Sequence, residues 1–243
     1  DLDFRYTSYC ALGTTVFLTG QSSEGWVYAY DTEGRVLRRL TRLPEELRDS
    51  RLASPATAAE GKYLYVAGGF ILGPSLDLRD RSVDAVYRLD LETLEWRRWG
   101  TLSERRFAAA AAIVDGKLFV AGGKHYEQFT VGTSSSTVEI PTSSVNVFSL
   151  EIGSRQDAVL PFSTWKGALA FDREREAVLH FGGLVYFGDL SMSSPLAAWT
   201  RPDGRAGEWW LASFRFSFIS GEGGWAFSSG GTRHLLARGW GDQ

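Results

Sequence analysis

The side chains best suited to chemistry in this chain are few and scattered. Three histidines, His125, His180 and His234, lie far apart, and the single cysteine, Cys10, has no second thiol to pair with. Metal sites are usually announced by Cys or His ligands a few residues apart, because neighbouring positions on one turn or helix face can reach a common ion. No such spacing occurs here, nor does a Gly-rich phosphate loop or a Gly-x-Ser-x-Gly nucleophile turn. Val178-Leu179-His180-Phe181 places His180 inside an apolar strand, where a hydrogen-bonded core histidine is expected. No catalytic residue, metal or cofactor is assigned from these residues, and an enzyme is the less favoured reading.

Recognition chemistry is better represented. Arg79, Arg81, His125, Tyr126, Phe129, Tyr186 and Phe187 fall in three stretches, Phe70–Val83, Lys124–Ser144 and Leu184–Leu196. Aromatic rings and guanidinium groups dominate binding energy at protein interfaces, since they bury much area in few conformations. Irregular connections beyond about 12 residues are uncommon unless they serve a purpose. Thr133–Thr137 reads as a mobile polar stretch. The alternative for all three segments is that they only cover neighbouring sheets.

These stretches are positioned by an internal repeat. Val16-Phe17-Leu18-Thr19-Gly20-Gln21 is matched by Leu64-Tyr65-Val66-Ala67-Gly68-Gly69, by Leu118-Phe119-Val120-Ala121-Gly122-Gly123 and by Val178-Leu179-His180-Phe181-Gly182-Gly183, with a weaker copy at 225–231. The first glycines stand 48, 54, 60 and 48 residues apart. Each copy follows a second apolar run and a tight turn, as in Ala108–Val114 and Asp115-Gly116. Asp-Gly between apolar runs signals a hairpin, because the turn needs positive φ. A third and a fourth run follow, giving four strands per repeat. The strands are apolar on both faces, so each sheet must be covered on both sides.

The repeat resembles the kelch family, whose motif is an apolar run ending in Gly-Gly, then a Tyr, then a Trp about seven positions later. Repeat two has Leu89-Asp90 at the Tyr-Asp place and Trp96 seven residues on; repeat one has Tyr30-Asp31 but Leu37 at the Trp place. A basic residue recurs 15 to 17 positions before each first glycine, as Arg5, Arg51, Arg106, Lys166 and Arg215. The resemblance implies an all-β, kelch-type β-propeller of about five four-stranded blades, or six if the chain is part of a longer ring, with the last blade incomplete. The repeats run approximately 5–50, 51–105, 106–165, 166–214 and 215–243 as a single domain. Gly68, Gly69, Gly122, Gly123, Gly182, Gly183, Trp96 and Arg106 are then scaffold: glycines where backbones approach, Trp96 between sheets, Arg106 on loop carbonyls. Pro44–Asp49 is the one place for a helical turn.

The same resemblance implies function. Kelch domains in adaptors and assemblies present loops to protein partners, and the three long stretches follow the paired glycines at one equivalent position, so they are expected on one binding face. Some relatives are copper enzymes using two His, two Tyr and a Cys-linked Tyr; no His pair matches that set here. A sugar-processing or other small-molecule enzyme with a site at the channel mouth is the alternative.

Composition bounds the remaining classes. Aromatics make up 14% of the chain, with nine Trp, which calls for wide packed faces. The net charge is −3, and Glu95 and Glu104 interleave the clusters Arg97–Arg98 and Arg105–Arg106, so a nucleic-acid partner is not expected. The longest apolar run, Phe107–Val114, is far short of the roughly 20 residues that span a bilayer. One cysteine and no Asn-x-Ser/Thr site favour an intracellular location, cytoplasmic or organellar.

Overall fold

A computed structural model describes residues 6–20, 25–48, 51–72, 81–131, 134–174, 176–187, 190–193, 197–201, 209–211, 224–229 and 232–237. The chain divides into two compact units: Asp1–Ala108 with His125–Ile140, and Ala109–Lys124 with Pro141–Gln243. Apart from one four-residue helix, every named element among the described residues is a strand.

In the first unit, β1 (Thr7–Leu12), β2 (Thr15–Gly20), β3 (Trp26–Asp31) and β4 (Val36–Arg42) form an antiparallel meander in that order. One helical turn, α1 (Glu45–Arg48), follows Pro44 and is closed by Leu47 N–H on the Pro44 carbonyl at 2.9 Å. A short strand, β5 (Arg51–Ala53), leads into the second meander, made of β6 (Ala56–Glu60), β7 (Tyr63–Ala67), β9 (Ala85–Asp90) and β10 (Trp96–Thr101), while β8 (Phe70–Leu72) returns to pair with β5. Leu47 of α1 and Leu52 of β5 seal a core of Phe17, Val27, Leu64, Val66, Tyr87 and Leu89. The inner strands β1 and β6 lie side by side.

The second unit repeats the pattern. β11 (Ala110–Val114) and β12 (Lys117–Ala121) are separated from their sheet partners by an insert, β13 (Lys124–Val131) and β14 (Ser134–Pro141), most of which belongs to the first unit. β15 (Ser144–Ser149) and β16 (Arg155–Val159) complete the third meander. In the fourth, β17 (Ala168–Asp172) and β18 (Ala177–Phe181) are followed by the hairpin β19 (Leu184–Phe187) and β20 (Leu190–Ser193), then by β21 (Ala197–Thr200) and β22 (Trp210–Leu211). The last described elements, β23 (Gly224–Ser229) and β24 (Thr232–Ala237), pair with each other. The core here is Val114, Phe119, Val145, Val147, Leu160, Val178 and Trp209. β17 contacts both β11 and β23.

The hairpin signals map as expected. Val114 pairs with Lys117 across Asp115 and Gly116, both at positive φ, the turn whose twist suits antiparallel strands. The glycine pairs do more than turn. Gly68 (φ 61°) and Gly122 (φ 64°) lie so close to the carbonyls of Arg106 and Thr164 that a Cβ at either would collide with backbone oxygen. The glycine after each donates its N–H to the same carbonyl, Gly69 to Arg106 at 2.9 Å and Gly123 to Thr164 at 2.8 Å.

Those bonds also correct the register of the basic residue. Arg106 and Thr164 occupy one structural position, so Arg106 and Lys166 do not recur at one place; Arg5 and Arg215 of the same series lie outside the described residues. Lys166 instead matches Tyr6, Ser54 and Ala108, all of which adopt left-handed φ between 47° and 59°. Within the first unit these residues are chained: Ser54 N–H donates to Tyr6 O and Ala108 N–H to Ser54 O, each at 2.8 Å. The left-handed conformation disfavours a residue with a Cβ by roughly 1 kcal/mol, and the bonds offset it. Arg106 itself is fully buried and lies 3.7 Å from Glu104. The Trp96 ring packs on the first unit's core, and its indole N–H donates to the Arg42 carbonyl at 2.7 Å, tying β10 to β4. A recurring leucine escaped the sequence reading: Leu43, Leu102 and Leu160 are buried, and each donates its N–H at 2.6–2.7 Å to a carbonyl before the third strand of its repeat.

Candidate functional site

The stretches after the paired glycines are hairpins more than loops. Ser134–Pro141, which contains most of the stretch expected to be mobile, is a full strand. Polar Ser and Thr form it because β13 supplies a neighbouring backbone, so cross-strand pairing substitutes for a buried face. In repeat two the insert begins as β8, with Phe70 opposite Ala53 and bridged to Ser82. In repeat four it begins as β19, where Leu184 exchanges backbone bonds with Trp165 at 2.8 and 3.2 Å.

The ribbon β13–β14 is held at its base by Tyr126. That ring stacks on Phe107 (5.7 Å between centroids, 22°) and lies 5.4 Å from Phe70, which is itself 5.0 Å from Phe107. Its hydroxyl donates to Glu139 Oε1 at 2.8 Å across the ribbon. Tyr126 is therefore half-buried and anchored, and the sequence reading missed Phe70, Phe107 and Glu139 as its partners. The signals that mark them are the aromatic directly after Gly69 and the aromatic directly after Arg106.

Strand alternation divides the ribbon's residues. Tyr126 and Glu139 share one face; Glu127, Phe129 and Val138 share the other. On that second face His125 Nε2 meets Glu127 Oε1 at 3.0 Å, while Phe129 and Val138 are 48% and 38% exposed. Apolar groups standing in water on a strand pair that packing does not cover are the most available binding surface in the described site.

The remaining candidates are placed unevenly. Arg81 is partly exposed beside Ser82. Arg79 lies outside the described residues. Tyr186 and Phe187 are on β19, opposite Ser191 and Leu190, and their side chains also lie outside what is described.

Among the described residues no three His, Cys, Asp or Glu side chains converge as a metal requires. Burial pushes the Cys10 thiol up to about 12, which keeps it protonated and poorly nucleophilic at neutral pH. His180 is 1% exposed in β18, and burial pushes its pKa down to about 4, so the ring is neutral. The expected hydrogen-bonded histidine is corrected in one respect: Nδ1 has no hydrogen-bond partner among the described residues. The ring sits edge-on to Phe162 and directly over Gly167, where a Cβ would fall 2.5 Å from Nε2. A cleft of about 370 Å³ lies between β4–α1 and β9–β10, lined by Arg42, Glu45, Glu46, Tyr87, Trp96 and Arg98. Its polar groups are partly engaged with each other, as in Tyr87 Oη to Glu46 at 3.4 Å.

No protein-family model matches the chain. An F-box/kelch-repeat protein of Arabidopsis thaliana is similar to it, 33% identical over 69 residues, or 28% of this chain. The match spans only 18% of that relative's length. This local similarity hints at kelch repeats, and the repeated antiparallel sheets are consistent with them. No helix among the described residues is long and apolar enough to cross a membrane.

Proposed function

We propose that the chain is a kelch-type β-propeller, a single domain that serves as a non-catalytic protein-interaction module, with the inserts of repeats two to four as its binding face. The observation that carries this reading is the ribbon β13–β14, clamped by Tyr126 and presenting Phe129 and Val138 to solvent. Such a ribbon adds nothing to the sheet cores, yet it is held in one orientation, which is what a recognition element needs. The meander order of the four-stranded sheets and the side-by-side inner strands support the propeller. The kelch-repeat relative supports protein partners.

The test pairs two measurements on the same variants, thermal melting and retention of partners by the immobilised chain. Phe129→Ala with Val138→Ala should reduce retention and leave melting unchanged, because both side chains are exposed. Tyr126→Ala should reduce retention and also lower the melting temperature, because it empties the pocket between Phe70 and Phe107. Normal retention by both variants, with loss on changes to Arg98 or Glu46 at the cleft, would move the binding face there.

A further inference from the structure

The ribbon has an edge that differs from the outer edges of the first three four-stranded sheets. An edge strand offers a row of N–H and C=O groups to any extended backbone, and folded proteins blunt such rows with charges, prolines and bulges. The outer strands of the first three four-stranded sheets follow that rule. β4 carries Arg38 and Arg39, with a register shift at Val27/Tyr28 in its partner. β10 carries Arg97 and Arg98, with a bulge between Arg98 and Gly100. β16 carries Arg155, ion-paired with Asp157 at 2.9 Å. The first five residues of β14 do not follow it. Ser134-Ser135-Ser136-Thr137-Val138 holds no charge and no proline, which come only at Glu139 and Pro141; all five residues are exposed, and β14 pairs only with β13 among the described residues. The opposite edge of the ribbon, β13, bears Lys124, His125 and Glu127.

We propose that β14 takes an extended segment of a protein partner as an added third strand. The inference rests on the binding-face reading above and specifies its chemistry. Main-chain hydrogen bonds to β14 supply attachment, and side chains on alternate positions supply selectivity. Every second residue of the segment lies on the Phe129/Val138 face and is apolar; the residues between them lie on the Tyr126 side, beside Ser135 and Thr137, and are small or polar. A second copy of this chain is the weaker occupant. Two five-residue edges pairing with each other bury far less than the roughly 1,200 Å² at which stable interfaces begin, whereas a peptide gains the same bonds without having to hold a whole protein in place. The neutral edge also sets no charge requirement on the segment.

The experiment uses the full chain and a displayed library of random ten-residue peptides. Enriched peptides should show a period-two apolar pattern, and their binding should protect β14 amides from hydrogen exchange. Ser135→Pro and Ser136→Pro are then made singly. Adjacent amides in a strand point to opposite edges, so one of the two removes only an outward N–H. That variant should melt as the wild type does and bind the peptide about tenfold more weakly or worse, the scale of one or two lost main-chain bonds. Three results overturn the proposal. One is peptides without alternation, or with alternation but no protection of β14. Another is affinity that falls with Phe129→Ala but with neither proline, which leaves the binding face in place and removes strand addition. The last is a dimer in sedimentation that the edge proline dissolves, which assigns the edge to a second copy. Peptides insensitive to the prolines and to Phe129→Ala alike would remove the binding-face reading as well.

Discussion

In repeat two the chain leaves Gly69 through the three residues of β8; in repeat three it leaves Gly123 through the eight residues of β13 and returns through β14. Both excursions end on the same bond, Val83 N–H to Gly69 O and Thr142 N–H to Gly123 O, each 2.9 Å. The flanking bonds also correspond: Gly68 to Ala85 and Gly122 to Ser144, Leu102 to Asp84 and Leu160 to Ser143, Leu94 to Asp90 and Gly153 to Ser149. A backbone gate opens after the second glycine and closes before the third strand. What passes through it is unconstrained by the sheet. Framework and insert therefore answer to different pressures, and substitutions should separate them.

The largest effect is expected at the gate. Gly122→Val places a branched side chain at φ 64° against the Thr164 carbonyl. Strain and collision together should destabilise the second unit by about 3 kcal/mol or more, read as a shifted urea midpoint. A small effect would mean that the correspondence between repeats is not held by the glycines.

A comparable effect should come from pH through His180. Its folded pKa of about 4 lies below the ordinary value of 6.5, so the unfolded chain binds a proton that the native state refuses. Stability is then complete above pH 6.5, falls as pH drops from there towards 4, and loses no more from this group below that. The full loss is on the order of 3 kcal/mol at 1.36 kcal/mol per pKa unit. Urea melts at pH 7.5 and pH 5, compared between wild type and His180→Leu, isolate the contribution; equal pH slopes would show that the ring is protonated without penalty.

Trp96→Ala should cost about 2 kcal/mol, since the ring is only partly buried but also bonds to Arg42. Trp96→Phe should recover most of the packing and lose about 1 kcal/mol for the missing N–H. The smallest effect belongs to the insert. Phe129→Ala should change stability by less than about 0.5 kcal/mol, and a larger loss would place Phe129 in the packing and dissolve the contrast drawn here.

What could be read from the residues was what neighbouring residues decide. The Asp115-Gly116 turn, the helical turn after Pro44 and the period of the glycine pairs are local, and each is where its residues put it. The strand Ser134–Pro141 was unreadable because its polar run has no alternation and owes its form to β13. Tyr126 looked like a free anchor because its partners, Phe70 and Phe107, are distant in sequence. The basic-residue register failed for a different reason. Arg106 and Lys166 lie in irregular segments where an offset of one or two residues leaves no pattern, and only the bonds to Gly69 and Gly123 reveal it. The binding role of Arg81, Tyr186 and Phe187 stands as proposed.

Within each unit the same backbone bonds recur: a second-glycine amide on the Arg106 or Thr164 carbonyl and, in the first unit, the bonds through Tyr6, Ser54 and Ala108. Main-chain contacts are indifferent to which residue supplies them. Side chains share the seam between the first two sheets, where Trp96 reaches the Arg42 carbonyl and Phe17 and Val27 share a core with Leu64 and Leu89. Substitution can therefore erase residue identity at the backbone joints and leave them formed, while the shared core still demands apolar partners.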